Sequence, residues 1–213
     1  YYGRYPNMNL NLFFFLTPSP GTENSDPGGT MLLPKPHSSL KGGFYSSSVL
    51  LALSTDVERS EIRYTLDCTD PDSSSMLYRE PVLIDSTTIL KARLIKDGAL
   101  DGPILVRSFL FELDSFTNPV ISIVGEPGDL FVFICIISRG ADDIEVAVNM
   151  EFITNSLTAY ASGAGLQLHA VKTDKPYSLR LYARSRYGSS WFTFPFYDDK
   201  GPDMFKRLIL RNS

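Results

Sequence analysis

Cysteine and histidine are scarce in this sequence: Cys68, Cys135, His37 and His169 are all there is in 213 residues. Two cysteines build no disulfide scaffold, and four such residues spread along the chain make no four-ligand zinc site of the usual kind. A basic excess is missing too. Twenty Lys and Arg stand against 24 Asp and Glu, a net charge of −4, which is the wrong sign for a surface that neutralises phosphates, so nucleic acid is excluded as a main partner. No apolar run approaches the roughly 20 residues needed to span a bilayer, so no membrane span is expected. The run Leu10 to Leu16 lacks a basic leader and a small-residue cleavage site, and Thr17-Pro18-Ser19-Pro20-Gly21 follows it; it reads as a strand rather than a signal peptide. What is present is 43% hydrophobic and 12% aromatic residues, ample for packed cores in one large or two small units. The apolar Leu208 to Leu210 directly before Arg211-Asn212-Ser213 reads as the middle of an element, and a fragment of a longer chain is expected.

Turn-rich connectors divide the chain. Residues 1–24 are aromatic and close on Thr-Pro-Ser-Pro-Gly; 25–36 is a Gly/Pro/Ser linker whose composition buries little. In 37–113, Ile62, Tyr64 and Leu66 alternate with Arg63, Thr65 and Asp67, and Leu90, Ala92 and Leu94 alternate with Lys91 and Arg93. These are half-buried strands, with Tyr64 and Leu66 on the inward parity and Tyr64 mostly buried. Asp97-Gly98 supplies a tight hairpin turn. Short strands at turn-marked intervals of about ten residues predict an antiparallel sandwich. In 114–213, Pro127-Gly128-Asp129-Leu130 makes at most a turn or a short helix. Leu179, Leu181 and Ala183 alternate with Arg180, Tyr182 and Arg184, and Trp191 to Phe196 reads as the return strand. Met204, Phe205, Leu208 and Ile209 fit helix or strand. The fold class is mainly β.

Chemistry is thinly signalled. Ser162-Gly163-Ala164-Gly165 begins like a phosphate loop, but no Gly-Lys-Ser/Thr follows, so a plain turn before a strand over 166–170 is the expectation. From Lys172 onward, nine Lys and Arg face four Asp, a net of +5 for that segment. Arg180 and Arg184 share parity with Tyr182 and, with Lys206, are the candidates for an anion site; an ordinary solvated sheet face is the plainer alternative. His169 shares the polar parity of Gln167, and no Ser or Cys stands in triad spacing, so it is a structural histidine. Asp142-Asp143 and Asp198-Asp199 follow no calcium-loop spacing. Asp67, Asp70 and Asp72 suit turn-forming hydrogen bonds. Trp191, Phe192, Phe194 and Phe196 are core material, with a sugar-stacking platform as the functional alternative. No catalytic, cofactor-binding or metal-ligating residue is assigned.

Three segments carry resemblances. Glu61-Ile-Arg-Tyr-Thr-Leu-Asp-Cys-Thr-Asp-Pro71, then Leu77-Tyr78-Arg-Glu-Pro81 and Ser86-Thr-Thr-Ile-Leu-Lys-Ala92, resemble the chitobiase and hexosaminidase C-terminal-type repeat, a fibronectin-III-like β-sandwich. Cys68 stands where that family has Gly, at a bend that wants positive φ. Pro119 to Val124 with Pro127-Gly-Asp-Leu-Phe131, Gly165-Leu-Gln-Leu-His169, Tyr177 to Arg184, Tyr187-Gly188, Phe194-Pro-Phe196 and Phe205 to Asn212 resemble the N-terminal part of the spore-coat CotH family of atypical, secreted protein kinases. Departures from that pattern are Ala170 for a Gly, Cys135-Ile136-Ile137 for Gly-Ile-Tyr, and Pro176-Tyr177-Ser178 for Lys-Lys-Ser. Tyr2-Gly-Arg-Tyr-Pro6 and Thr17 to Asn24 resemble the last strands of a lamin-tail-like domain.

The resemblances imply four parts: the end of a lamin-tail-like domain (1–24), a linker (25–36), the sandwich (37–113), and a truncated, β-rich, partial kinase-like lobe (114–213). They imply a non-catalytic front of a secreted or cell-surface CotH-like protein. The remainder of the parent chain, coat or cell-surface proteins, and glycans are the implied partners, and ATP and Mg are implied only for an intact kinase parent. A carbohydrate-associated accessory sandwich, or a structural or adhesion module without ligand, are the alternatives. Phosphoryl transfer and tight ATP binding by this chain alone are not expected.

Overall fold

The computed structural model describes residues 2–3, 12–15, 19–24, 28–111, 118–137, 144–170, 178–197 and 201–211. In chain order the strands are β1 (Tyr2–Gly3), β2 (Phe13–Phe14), β3 (His37–Ser38), β4 (Gly43–Tyr45), β5 (Val49–Leu51), β6 (Leu53–Ser54), β7 (Glu61–Thr65), β8 (Met76–Leu77), β9 (Val82–Ile84), β10 (Thr88–Ile95), β11 (Leu105–Phe111), β12 (Val120–Gly125), β13 (Glu145–Thr154), β14 (Leu157–Ala170), β15 (Ser178–Tyr182), β16 (Phe192–Thr193), β17 (Met204–Phe205) and β18 (Arg207–Leu210), with helix α1 (Pro127–Ile137) between β12 and β13. The protein is mainly β. Contacts divide it into two units, residues 1–41 with 47–107, and residues 42–46 with 108–213.

In the first unit β7 and β10 pair antiparallel with Ile62 opposite Leu94 and Tyr64 opposite Ala92. Cross-strand partners share a face, and Ile62, Leu90, Ala92 and Leu94 are buried together with Leu51 of β5, Ile84 of β9 and Leu53 of β6. This is the core of a β-sandwich. Two side chains depart from the alternation. Tyr64 is half-buried, its ring edge-on to Tyr78 at 6.4 Å, and Leu66, beyond the end of β7, is exposed. Thr65 and Lys91, on the opposite parity, are buried instead, because the chain after β7 folds back over them. Thr65 Oγ1 donates to the Thr69 carbonyl at 2.6 Å, and Lys91 Nζ donates to Asp70 Oδ1 at 2.8 Å. Asp70 is therefore an ion-pair partner rather than a turn former. Asp67 and Asp72 do form turns: Asp67 accepts from the Thr69 amide, and Asp72 from the amides of Ser74 and Ser75.

Cys68 holds φ at +69°, so the bend that favours Gly is kept with a Cβ in it. Gly98 takes φ +72° in a turn closed by the Ala99 amide on the Lys96 carbonyl at 3.1 Å. Leu100 then bridges Leu32 before β11 begins. The Gly/Pro/Ser stretch is no free linker where it is described. Leu33 is buried and its amide donates to the Leu100 carbonyl at 3.0 Å, while Gly29 and Phe14 exchange two backbone hydrogen bonds.

The second unit is built on an antiparallel sheet in the order β12-β13-β14-β15-β18, with β4 joining β14 at Gly43 and pairing parallel to β11. Three expectations are corrected here. The segment from Pro127 is an 11-residue helix, because the apolar run Leu130 to Ile137 extends what Pro127 starts; Pro is tolerated in a first turn, where its missing amide has no partner to lose. Ser162 to Gly165 lies inside the 14-residue β14 and is no turn. The strand returning along β15 is β18, whereas Phe192–Thr193 pairs with Met204–Phe205. A buried polar network sits where β4 and β11 meet the sheet. Glu151 accepts from the Ser108 amide at 2.6 Å and the Thr158 hydroxyl at 3.2 Å, and the Ser108 and Ser122 hydroxyls lie 2.8 Å apart. Gly42 leaves room for that carboxylate, since a Cβ there would stand 2.6 Å from Glu151 Oε1.

Candidate anion-binding face

Register decides which side chains of the second unit meet. Val146 pairs with Leu166, Val148 with Ala164 and Met150 with Ser162; Leu166 pairs with Leu181, and Leu181 with Leu208. These positions carry the apolar face, closed by Phe133 of α1 and by Phe192. The alternate positions form a polar face: Glu145 opposite Gln167, Gln167 opposite Arg180, and Tyr182 opposite both Gly165 and Arg207. One residue of β14 is out of step. The register shifts between Leu168 and Ala170, making His169 an extra, bulged residue, and a bulge re-aims its side chain. Here it brings His169 Nδ1 into contact with Arg180 Nη2.

Arg180 is the centre of this face. Its Nη1 donates to Tyr182 Oη at 2.8 Å and reaches Gln167 Oε1 at 3.4 Å, while its buried Nε–H has no acceptor among the described residues. Desolvation, followed by the positive charges of Arg180, Arg211 and Arg207, pushes His169 below the ordinary histidine range. It is thus neutral at pH 7 with its proton on Nε2, since Nδ1 accepts from Arg180. Histidine as a satisfied structural group was the expectation, and its Arg180 contact agrees with that.

Arg184 and Lys206 have other work. Arg184 Nε and Nη2 donate to the Glu145 carboxylate at 2.9 and 2.8 Å, and the same carboxylate contacts Arg186 Nη2 and accepts from Tyr187 Oη at 2.9 Å. Burial raises the Glu145 pKa, but the hydrogen bonds from Arg184, Arg186 and Tyr187 outweigh it and hold the carboxyl below its usual range. Gly165 makes this cluster possible: a Cβ there would lie 2.6 Å from Tyr187 Cε2 and overlap the Glu145 carboxylate. Lys206 Nζ stands 4.8 Å from the centre of the Trp191 ring, a cation–π contact. So the three candidates do not converge. Arg180 and Arg184 flank the Tyr182 ring, with guanidinium carbons 5.6 and 4.7 Å from its centroid, as shared parity predicted, and Lys206 belongs elsewhere.

Sequence reasoning passed over Glu145, Arg186, Tyr187, Arg207 and Arg211 as members of this face. A signal existed for the last two: Arg207, Ile209 and Arg211 alternate with Leu208 and Leu210, the strand pattern of β18. Phe192 is buried, and Phe194 and Phe196 pack with Phe152 and Tyr160 at 5.1 to 5.5 Å, which is core packing, as expected; Trp191, expected in the same core, is exposed instead. Among the described residues no three His, Cys, Asp or Glu side chains converge as a metal site, and no helix is long and apolar enough to cross a membrane. Asp142-Asp143, Asp198-Asp199, Lys172, Lys175, Lys200 and the Cys135 side chain lie outside the described residues.

Residues 40–105 match the chitobiase/beta-hexosaminidase C-terminal domain family. That span runs from just before β4 to the first residue of β11 and contains the sandwich core residues from Leu51 to Leu94. No curated protein and no solved structure matches the chain.

Proposed function

We propose that this chain is a non-catalytic accessory portion of a secreted or cell-surface protein, in which a sandwich of the type appended to glycosidases accompanies a second β unit that presents a ligand-binding sheet face. The observation that carries this reading is the agreement between the matched span, 40–105, and the sandwich core. An accessory module binds or positions without making or breaking bonds. A glycan array probed with the full chain tests it: retention of a glycan class with no released product is expected, and retention of none, or release of reducing ends, refutes it.

A second reading, the front of a CotH-like protein, draws on a specific observation: four of the segments resembling that family, within 119–124, 165–169, 178–184 and 205–211, fall on β12, β14, β15 and β18 of one sheet, whereas Pro127 to Phe131 lies on α1 and Phe194 to Phe196 lies outside the strands. A nucleotide and magnesium would supply phosphoryl transfer in such a parent. The described residues do not fit that group, because Glu145, the carboxylate beside the arginines, is already bound by Arg184, Arg186 and Tyr187, and no step is derived through it. Calorimetric titration of the chain with Mg-ATP at physiological salt is expected to give no micromolar binding; a micromolar site, or phosphate incorporation, would overturn the non-catalytic reading.

A further inference from the structure

We propose that the polar face formed by β14, β15 and β18 binds an acidic polysaccharide, whose carboxylates or sulfates are taken by Arg180, Arg207 and Arg211. The inference deepens the accessory reading by naming a ligand class and its place on the second unit.

Charge comes first. Arg207 and Arg211 are exposed and, among the described residues, neither is in an ion pair, while the nearest carboxylate of the face, Glu145, is committed to Arg184 and Arg186. Ile209 of β18 is the cross-strand partner of Arg180 and sits between Arg207 of that strand and Arg211 just beyond its end, so Arg180 lies diagonally from Arg207, within reach of a long side chain, and the charge of Arg211 is close enough to act on His169. His169 adds no negative charge. Among the described residues, the carboxylate on this face, Glu145, is held by Arg184 and Arg186, and Arg180, Arg207 and Arg211 have no carboxylate partner.

Shape and spacing narrow the ligand. Arg207 and Arg211 are four residues apart on extended chain, about 13 Å, which no single inorganic oxyanion bridges; the ligand carries several anionic groups. Between the arginines stand uncharged hydrogen-bonding groups, Gln167, Tyr182 Oη and the His169 ring. A polymer with hydroxyls interleaved between its charges meets both kinds of group. Single-stranded nucleic acid fits worse, because it needs open aromatic faces for its bases, and the Tyr182 ring is flanked by Arg180 and Arg184.

The test is binding of a size-defined oligogalacturonate to the full chain at low salt, by fluorescence of Trp191 or calorimetry, beside neutral chitohexaose and an oligothymidylate of matched charge. The expected result is oligogalacturonate binding that weakens as salt is raised, with roughly a tenfold loss in Arg207→Gln/Arg211→Gln and none in Lys96→Gln on the other unit. The paired substitution leaves the apolar parity of β18 untouched, so circular dichroism should be unchanged. Equal binding by the double variant, or tighter binding of oligothymidylate, overturns the proposal. Chitohexaose binding that the double variant retains, without oligogalacturonate binding, would sink this inference while leaving the accessory reading standing.

Discussion

Gly163 is a position in the second unit where one methyl group should be costly. A Cβ built there overlaps the Tyr187 carbonyl oxygen and lies 3.1 Å from the carbonyl carbon. These are backbone atoms of the 3₁₀ turn Ser185–Tyr187, so no rotamer change relieves the contact; the turn must lift off β14. That withdraws Tyr187 and Arg186 from the Glu145 carboxylate they bind. Overpacking of this kind costs about 1–3 kcal/mol, and replacing a strand glycine by alanine returns about 0.5–1 kcal/mol, leaving Gly163→Ala about 1–2 kcal/mol less stable. Trp191 is the only tryptophan and lies in this unit, so urea unfolding followed by its fluorescence reports the right part of the chain without requiring that both units unfold together. With a urea slope of about 1–2 kcal/mol/M, the midpoint should fall by roughly 1 M. Gly128 in the first turn of α1 is the contrasting case: nothing lies within 4 Å of its would-be Cβ, and Gly128→Ala should raise the midpoint through helix propensity, by about 0.5–1 kcal/mol at most. A Gly163→Ala midpoint equal to or above the parent's, or the same direction of shift in both variants, would refute the argument.

Two further outcomes follow from local electrostatics and backbone geometry. Because Glu145 is held below its usual range in the folded state, it contributes stability that is present above the unfolded carboxylate pKa of about 4.3 and is lost as pH falls through the lower folded value; Glu145→Gln should flatten the acid limb of the Trp191-detected stability profile, and an unchanged limb would contradict the cluster. At Cys68, the left-handed backbone costs a residue with a Cβ about 1 kcal/mol, partly offset by the greater unfolded-state freedom of glycine, about 0.4–1 kcal/mol. Thermal unfolding should therefore rank Cys68→Gly at or above the parent and Cys68→Val, with its branched Cβ, clearly below; a Val variant as stable as the parent would count against the strain.

Alternation alone determined much of this protein. Leu90, Ala92 and Leu94 in one strand and Leu181 and Ala183 in another are buried as their parity requires, since a strand with one covered face has only one register that hides its apolar side chains. The same rule put Arg180 and Arg184 beside Tyr182. Positive φ at Cys68 was legible from the glycine expected there. Other features depended on partners remote in sequence. Lys91 has the parity of a solvated residue and is buried because the loop carrying Asp70 folds over it. Gly163 and Gly165 look like a loop motif and lie in mid-strand, where the absence of a Cβ admits a turn more than twenty residues away. Glu145 stands alone in the sequence and acquires three partners between Arg184 and Tyr187. Periodicity records which face of a strand is covered, but not what covers it. That is decided by which distant segment can reach the face with matching charge and volume, and only the tertiary fold sets this.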